Sequence, residues 1–194
     1  MKKRIYKIYV FRHGQTVFNA KGIFTGQSFS KLTKKGKLDA QKIARKLRNK
    51  KFQVAFCTSL PRSKETLKYV LKYHPECKKI IVDDRMIERS YGVLEGTSHE
   101  DFIKKFGEKK YKAIHRGYEV AAEKGESFLD VEKRVRSFIN YLKKYIKKNK
   151  VNVAISGHGN SIRLFRKVME KASRKEAVKW VIPYDKIFEY SIKA

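Results

Sequence analysis

The chain has 194 residues, with 48 Lys and Arg against 19 Asp and Glu, a formal charge of +29 at pH 7 and 41% apolar residues. This length suits one domain that buries roughly 70% of its unfolded surface, and no apolar run approaches the roughly 20 residues that cross a bilayer. Cys57 and Cys77 lie far apart without metal-ligand spacing, so no disulfide framework is expected and the cytoplasm is the expected location. Such a charge attracts polyanions. However, the lysines fall in scattered short runs, "KKR", "RNKK" and "KKYIKKNK", with no zinc finger, helix-turn-helix or aromatic-basic stacking motif. Nucleic acid is therefore expected to bind only non-specifically, and the charge equally suits a small, multiply anionic substrate.

The first segment, "MKKRIYKIYVF", opens with basic residues like a signal peptide. Lys7 interrupts its apolar part and no small-residue cleavage site follows, so it reads as a strand. Thr33 to Leu47 places Ala40, Ile43, Ala44 and Leu47 at helical spacing. "VAFCTS" reads as a second strand, with Cys57 as a small buried hydrophobe, and His74 before Pro75 as a helix end. "KIIVDD" is the third strand. The stretch from Gly92 to Gly125 is rich in glycine and charge and reads as an insertion with one short helix after Ser98. Ser127 with Asp130 resembles a capping box. It opens a helix with Val131, Val135, Phe138, Ile139, Leu142 and Ile146 on one face. "VNVAIS" is the fourth strand, followed by a helix that turns Ile162, Phe165, Val168, Met169 and Ala172 inward, and "FEYSIKA" reads as a last strand. The alternation predicts a three-layer α/β fold, a mostly parallel sheet flanked by helices on both faces. Residues 1–194 then form one domain, with the insertion around 92–125 capping a site.

Ligands of open α/β sheets bind beyond the carboxyl ends of the strands. Arg12-His13-Gly14 follows the first strand, "TSLPRSKET" with Arg62 the second, "DDRMIERSYG" with Glu88 and Arg89 the third, and "SGHGNSIR" with His158 the fourth. A lone histidine after a strand is more often a satisfied polar residue than a catalyst. Four strand ends that all deliver such groups point to phosphate chemistry. Arginine pairs with phosphate bidentately and keeps its charge. An imidazole among arginines has its pKa depressed and stays neutral and nucleophilic. It can attack phosphorus and carry the phosphoryl group, with Glu88 moving the proton. No metal is needed, and Gly14, Gly157 and Gly159 let the backbone approach the phosphate.

"RHGQT", "TSLPRSKET", "ERSYG" and "SGHGNSIR", in this order, resemble the histidine phosphatase superfamily over nearly the whole chain. The resemblance implies that His13 is the phosphorylated nucleophile. It implies a phosphate pocket of Arg12, Arg62 and His158, and Glu88 as proton donor and acceptor. Asn19, Phe24, Thr25 and Gly26, together with Tyr91, Gly159, Asn160 and Arg163, resemble the substrate loops of the mutases that depend on 2,3-bisphosphoglycerate. That compound would then be the phosphoryl donor, and no cofactor would be bound permanently. Other residues depart from the mutase pattern. His99 falls where mutases carry a substrate-binding lysine, and His115-Arg116 where they carry two arginines. A long segment is missing, and "GES" at Gly125 to Ser127 resembles the phosphatase branch. The resemblance thus implies an interconversion of 3- and 2-phosphoglycerate or a phosphomonoester phosphatase, with a small phosphorylated substrate, and it is compatible with a homodimer. If His99 and His115 act as the mutase cations do, they are charged and help Arg116 hold the remote end of the substrate. Read structurally instead, Thr25 and Gly26 are a turn, Tyr91 packs under its loop, His99 is an exposed first-turn residue, and Glu95 and Arg89 are ion partners at the rim.

Overall fold

The computed structural model describes residues 4–193. Met1–Lys3 and Ala194, the ends of two of the segments read above, lie outside the described residues. The strands are β1 (Ile5–Arg12), β2 (Val54–Cys57), β3 (Lys79–Val82), β4 (Val153–Gly157) and β5 (Ile187–Lys193). They form one sheet in the order β3-β2-β4-β1-β5. All neighbours are parallel except β5, which runs antiparallel to β1 along the edge.

Side chains alternate across a strand, and this divides each central strand between two cores. Ile8, Val10, Val54, Phe56, Val153 and Ile155 face one core, which the helices α6 (Phe128–Asn149) and α7 (Gly159–Glu170) close. Tyr9, Phe11, Ala55, Cys57 and Ala154 face the other, under α2 (Lys34–Leu47) and α3 (Pro61–Leu71). The apolar stripes expected for α2 and α6 are buried throughout. The capping box at Ser127 and Asp130 is present, and Cys57 is buried as a small hydrophobe. On α7, Ile162 and Phe165 are buried, whereas Ala172 falls beyond the helix end. Two short helices, α1 (Val17–Ala20) and α8 (Arg174–Lys179), have no counterpart in the sequence pattern.

The insertion holds two helices where one was expected: α4 (His99–Phe106) and α5 (Glu108–Arg116), divided at Gly107. They build a third, small apolar cluster from Phe24, Tyr91, Phe102, Ile114 and Ala122. His74 lies past the end of α3, buried, with Nδ1 3.0 Å from Glu76 Oε1 and its ring against Phe52. No helix among the described residues is long and apolar enough to cross a membrane.

The register of β1 against β4 positions the site. Arg12 stands opposite Gly157, and the His13 amide donates to the Gly157 carbonyl at 3.0 Å. The two strands therefore end together, with His13 and His158 side by side.

Candidate active site

The His13 and His158 rings lie 5.0 Å apart, centre to centre. His13 is 2% exposed and His158 fully buried. His13 Nδ1 is 2.7 Å from the Gly14 carbonyl. A carbonyl only accepts, so Nδ1 carries the proton and the lone pair sits on Nε2. Burial lowers the His13 pKa well below 6.5, and the Arg62 and Arg12 charges lower it further. The ring is therefore neutral at pH 7, with a nucleophilic nitrogen. His158 is lowered in the same way, by burial first and then by Arg62, His13 and Arg12. Its Nε2 pairs with Thr58 Oγ1 at 2.8 Å.

Arg62, 2% exposed, donates through Nη1 and Nη2 to the carbonyls of Ser28 and Gly26 at 2.9 and 2.6 Å. Arg12 donates through Nη1 to Ile182 O at 2.9 Å and lies 4.1 Å above the Tyr184 ring. Nε of each arginine and Nδ1 of His158 are buried without a partner. Unpaired buried donors are costly, so the two arginines hold donors that an oxyanion would satisfy, and His158 Nδ1 would join them in the tautomer whose Nε2 accepts from Thr58 Oγ1. A Cβ on Gly159 would stand 3.4 Å from the Arg12 guanidinium carbon, so glycine there leaves that group open to the cleft.

Glu88 is held at the opening of α7. Its Oε1 accepts from the Arg89 and Asn160 amides at 2.8 and 3.0 Å. Its backbone carbonyl accepts from Gln27 Nε2 and from Nη2 of Arg134 on α6. Glu126 anchors Arg134 in turn. One oxygen of the Glu88 carboxyl is fixed, and Oε2 has no hydrogen-bond partner among the described residues.

Above these groups lies a cleft of about 160 Å³. Of the residues singled out from sequence, Arg12, Asn19, Thr25, Gly26, Glu88, Tyr91, His99, His115, Arg116, Gly159 and Asn160 all line it. His13, Arg62 and His158 lie buried beneath. Asn19 Oδ1 caps α1 by accepting from the Thr16 amide at 3.1 Å, which leaves its NH2 for the cleft. Gly26 has φ +47°, and a Cβ there would fall 2.0 Å from Glu95 Oε1.

Three readings need correction. His99 is half-buried, with its ring 4.2 Å from Phe24, edge to face, and Tyr111 Oη 3.3 Å from its Nδ1. Burial lowers its pKa. His115 is pushed down to about 3 by burial and by Arg116, His99, Arg89 and Arg163. Both are neutral at pH 7 and do not replace the cations that the resemblance implied. Glu95 and Arg89 are not ion partners at the rim. Glu95 staples two loops by accepting from Gln27 N, Ser28 Oγ and Tyr91 N. Arg89 is fully buried between the Tyr91 and Phe128 rings and donates to Ile114 O.

Arg163, which the resemblance placed in a substrate loop, lines the cleft. It pairs with Asn160 Oδ1 and donates to Trp180 O. Burial and Arg116 lower its pKa to about 9, which leaves it charged at neutral pH. Other groups at the site escaped the sequence reading. Thr58 and Thr66, whose hydroxyls meet His158 Nε2 and the Gly14 amide, stood inside a quoted motif without a role. Arg134 and Tyr184 gave no local signal. Among the described residues no group of three or more His, Cys, Asp or Glu could hold a metal ion.

The sheet and the arginine-lined cleft together define an α/β protein whose candidate site sits at the carboxyl edge of its strands. The chain belongs to the histidine phosphatase superfamily (branch 1), whose family model matches residues 8–193. It is 34% identical over 172 residues to a 2,3-bisphosphoglycerate-dependent phosphoglycerate mutase of Mesorhizobium japonicum, covering 87% of this chain and 83% of that one. The fold is that of a mycobacterial glucosyl-3-phosphoglycerate phosphatase (TM-score 0.82, 20% identity, 97% and 91% covered). It is equally that of a phosphoglycerate mutase from Bacillus anthracis (TM-score 0.77, 21% identity, 99% and 92% covered).

Proposed function

We propose that the chain is a 2,3-bisphosphoglycerate-dependent phosphoglycerate mutase that works through a phosphohistidine on His13. The observation that carries this reading is the charge of the cleft. Arg12, Arg116 and Arg163 line it against one carboxylate, Glu88, so a substrate anionic at both ends would complete it. The M. japonicum relative bears the mutase name, and 172 aligned residues make up 83% of it. A missing long segment is therefore compatible with that activity.

In the proposed reaction, 2,3-bisphosphoglycerate first primes the enzyme. His13 Nε2 bonds to phosphorus as the bond to the glycerate oxygen breaks, and Glu88 gives that oxygen a proton. Arg12, Arg62 and His158 share the charge of the transferring group. The phosphoryl group then passes from Nε2 to the 2-hydroxyl of 3-phosphoglycerate, whose proton Glu88 takes. His13 next removes the phosphoryl group at position 3 and Glu88 returns the proton to that oxygen, so 2-phosphoglycerate leaves. Arg116 and Arg163 hold the remote end, and residues 92–125 of this one domain act as a cap that keeps water off the phosphohistidine.

Phosphatase activity is the second reading, favoured by the neutral His99 and His115, which weaken the hold on a remote anion. The deciding measurement is the product formed from 3-phosphoglycerate with and without 2,3-bisphosphoglycerate. Cofactor-dependent 2-phosphoglycerate is expected, and inorganic phosphate alone would give the phosphatase. A chelator should leave the rate unchanged. A loss that a divalent ion restores would overturn the metal-free reaction.

A further inference from the structure

The helices α2 and α3 begin at the active site and run away from it. Lys72 stands ten residues beyond Arg62, roughly 15 Å along α3 at 1.5 Å per residue. At that far end the two helices enclose a groove of about 180 Å³ lined by Gln41, Arg45, Tyr69, Lys72 and Tyr73. A second hollow of about 590 Å³ continues it past Tyr73 and is lined by Arg48, Asn49, Lys51 and Gln53. Neither hollow takes part in the reaction proposed above.

The charge here is uncompensated. Residues 31–79 carry sixteen Lys and Arg against three acids. Among the described residues, Arg45, Arg48, Lys51 and Lys72 have no carboxylate within ion-pair distance; the ion pairs of this face are Lys46 to Asp185 and Lys50 to Glu189. One carboxylate, Glu76, lines the second hollow. It is engaged with His74 Nδ1 at 3.0 Å and with the Phe52 amide. Two aromatic rings stand among these cations. Tyr73 is 48% exposed, and Lys72 Nζ lies 5.4 Å over the Tyr69 ring.

We propose that this trough binds single-stranded nucleic acid. Cations that track phosphates, rings that stack bases and amides at their edges are what a sequence-tolerant single-strand surface consists of. The trough is concave and its rings line its walls. A base can enter between them, whereas an anionic bilayer would meet only the basic rims. The sequence reading saw no aromatic-basic motif because Arg45 and Tyr69 are brought together from two helices.

The experiment is fluorescence anisotropy of the full chain with a labelled oligothymidylate across a salt series. Phosphoryl-transfer activity is measured in parallel. Tyr73→Ala should weaken binding about ten-fold through lost stacking. Tyr69 also packs on the core, so Tyr69→Leu removes the ring while keeping an apolar filler, and it should cost about as much. Arg45→Gln with Lys72→Gln should lower the slope of log K against log salt by about 1.4, roughly 0.7 per phosphate contact. Lys143→Gln with Lys147→Gln removes the same charge from exposed positions on α6 and should change little, and every variant should keep the parent's enzymatic rate. Several outcomes would overturn the proposal. These are no binding by the parent, equal losses in the α6 control, tyrosine variants that bind like the parent, or inorganic polyphosphate of matched charge competing as well as the oligonucleotide. Binding to phosphatidylserine vesicles without binding to the oligonucleotide would instead assign the face to a membrane surface.

Discussion

A single backbone carbonyl decides what His13 can do. Gly14 O accepts from Nδ1, so the nucleophilic lone pair is fixed on Nε2, and burial with two arginines keeps the ring unprotonated. His13→Ala should lower turnover by several orders of magnitude with the fold retained. It should also abolish an acid-labile, base-stable phosphate on the protein, and substantial turnover by the variant would remove the assignment. Arg134 acts at one remove. Its guanidinium holds the carbonyls of Ile87 and Glu88, so Arg134→Met should lower kcat about ten-fold with KM little changed, the signature of a misplaced proton donor. Arg134→Lys should recover part of the loss, and a variant with raised KM and unchanged kcat would refute the positioning role. His99 tests the remote end. Burial holds its pKa below the ordinary value, so it stays neutral from pH 8 to pH 7, where a lysine is charged throughout. His99→Lys should bind 3-phosphoglycerate more tightly by a ratio that is constant over that range. The ratio should shrink only at lower pH, as the parent's imidazole gains its proton. A ratio already falling between pH 8 and 7 would mean that His99 titrates at its ordinary pKa or above.

The loop after β1 packs so closely on the start of α2 that no side chain fits between them. A Cβ on Gly14 would stand 2.0 Å from Gly36 O, and one on Gly36 would stand 2.0 Å from Gln15 O. Both contacts are with backbone, so Gly14→Ala or Gly36→Ala must move an element and should cost roughly 2 kcal/mol. Thermal unfolding should show this as a loss of about 4–8 °C; unchanged melting of either variant would mean that the junction is slack. Elements with dense or regularly spaced apolar residues were readable beforehand. β1, β2 and β4 are short apolar runs that send alternate side chains into the two cores, and α2 and α6 bury a side that repeats every three to four residues. The insertion was harder to read. α5 buries Ile114 and half-buries Tyr111 among charged residues, too few apolar positions for a period. The antiparallel course of β5 depends on which edge is vacant, which no local stretch of sequence encodes. The same division runs through the candidate site. Residues that directly follow strands could be picked from the chain, because a sheet brings its carboxyl ends together. Arg134 and Tyr184 act through contacts with remote segments. The protonation of His99 and His115 depends on their burial within the insertion, which exists only after folding.

At the scale of the molecule, the burial that keeps three imidazoles neutral also makes the fold sensitive to acid. His13, His158 and His115 all have folded pKa values below 6.5, chiefly through burial. When pH falls below 6.5 the unfolded chain takes up protons that the folded chain refuses. The stability these groups contribute is therefore complete above 6.5 and is lost as pH falls toward their folded values, by about 1.4 kcal/mol per pH unit for each histidine. Repulsion within a chain of formal charge +29 adds to the loss once carboxylates begin to protonate. The two causes separate by salt, because added salt screens exposed charges and leaves the burial of an imidazole unaffected. His115 is the group to change, since its substitution leaves the phosphate pocket around His13 in place. Denaturant unfolding at about 0.5 M salt should show the parent losing stability steadily from pH 6.5 to 4. The slope for His115→Gln should be shallower by about 1.4 kcal/mol per unit over the same range. Inorganic phosphate should restore part of the loss at each pH by binding the folded state alone. Parallel slopes for the two proteins would show that His115 protonates as readily in the folded chain as in the unfolded one. The cap would then be open to water, and residues 92–125 would not shield a phosphohistidine.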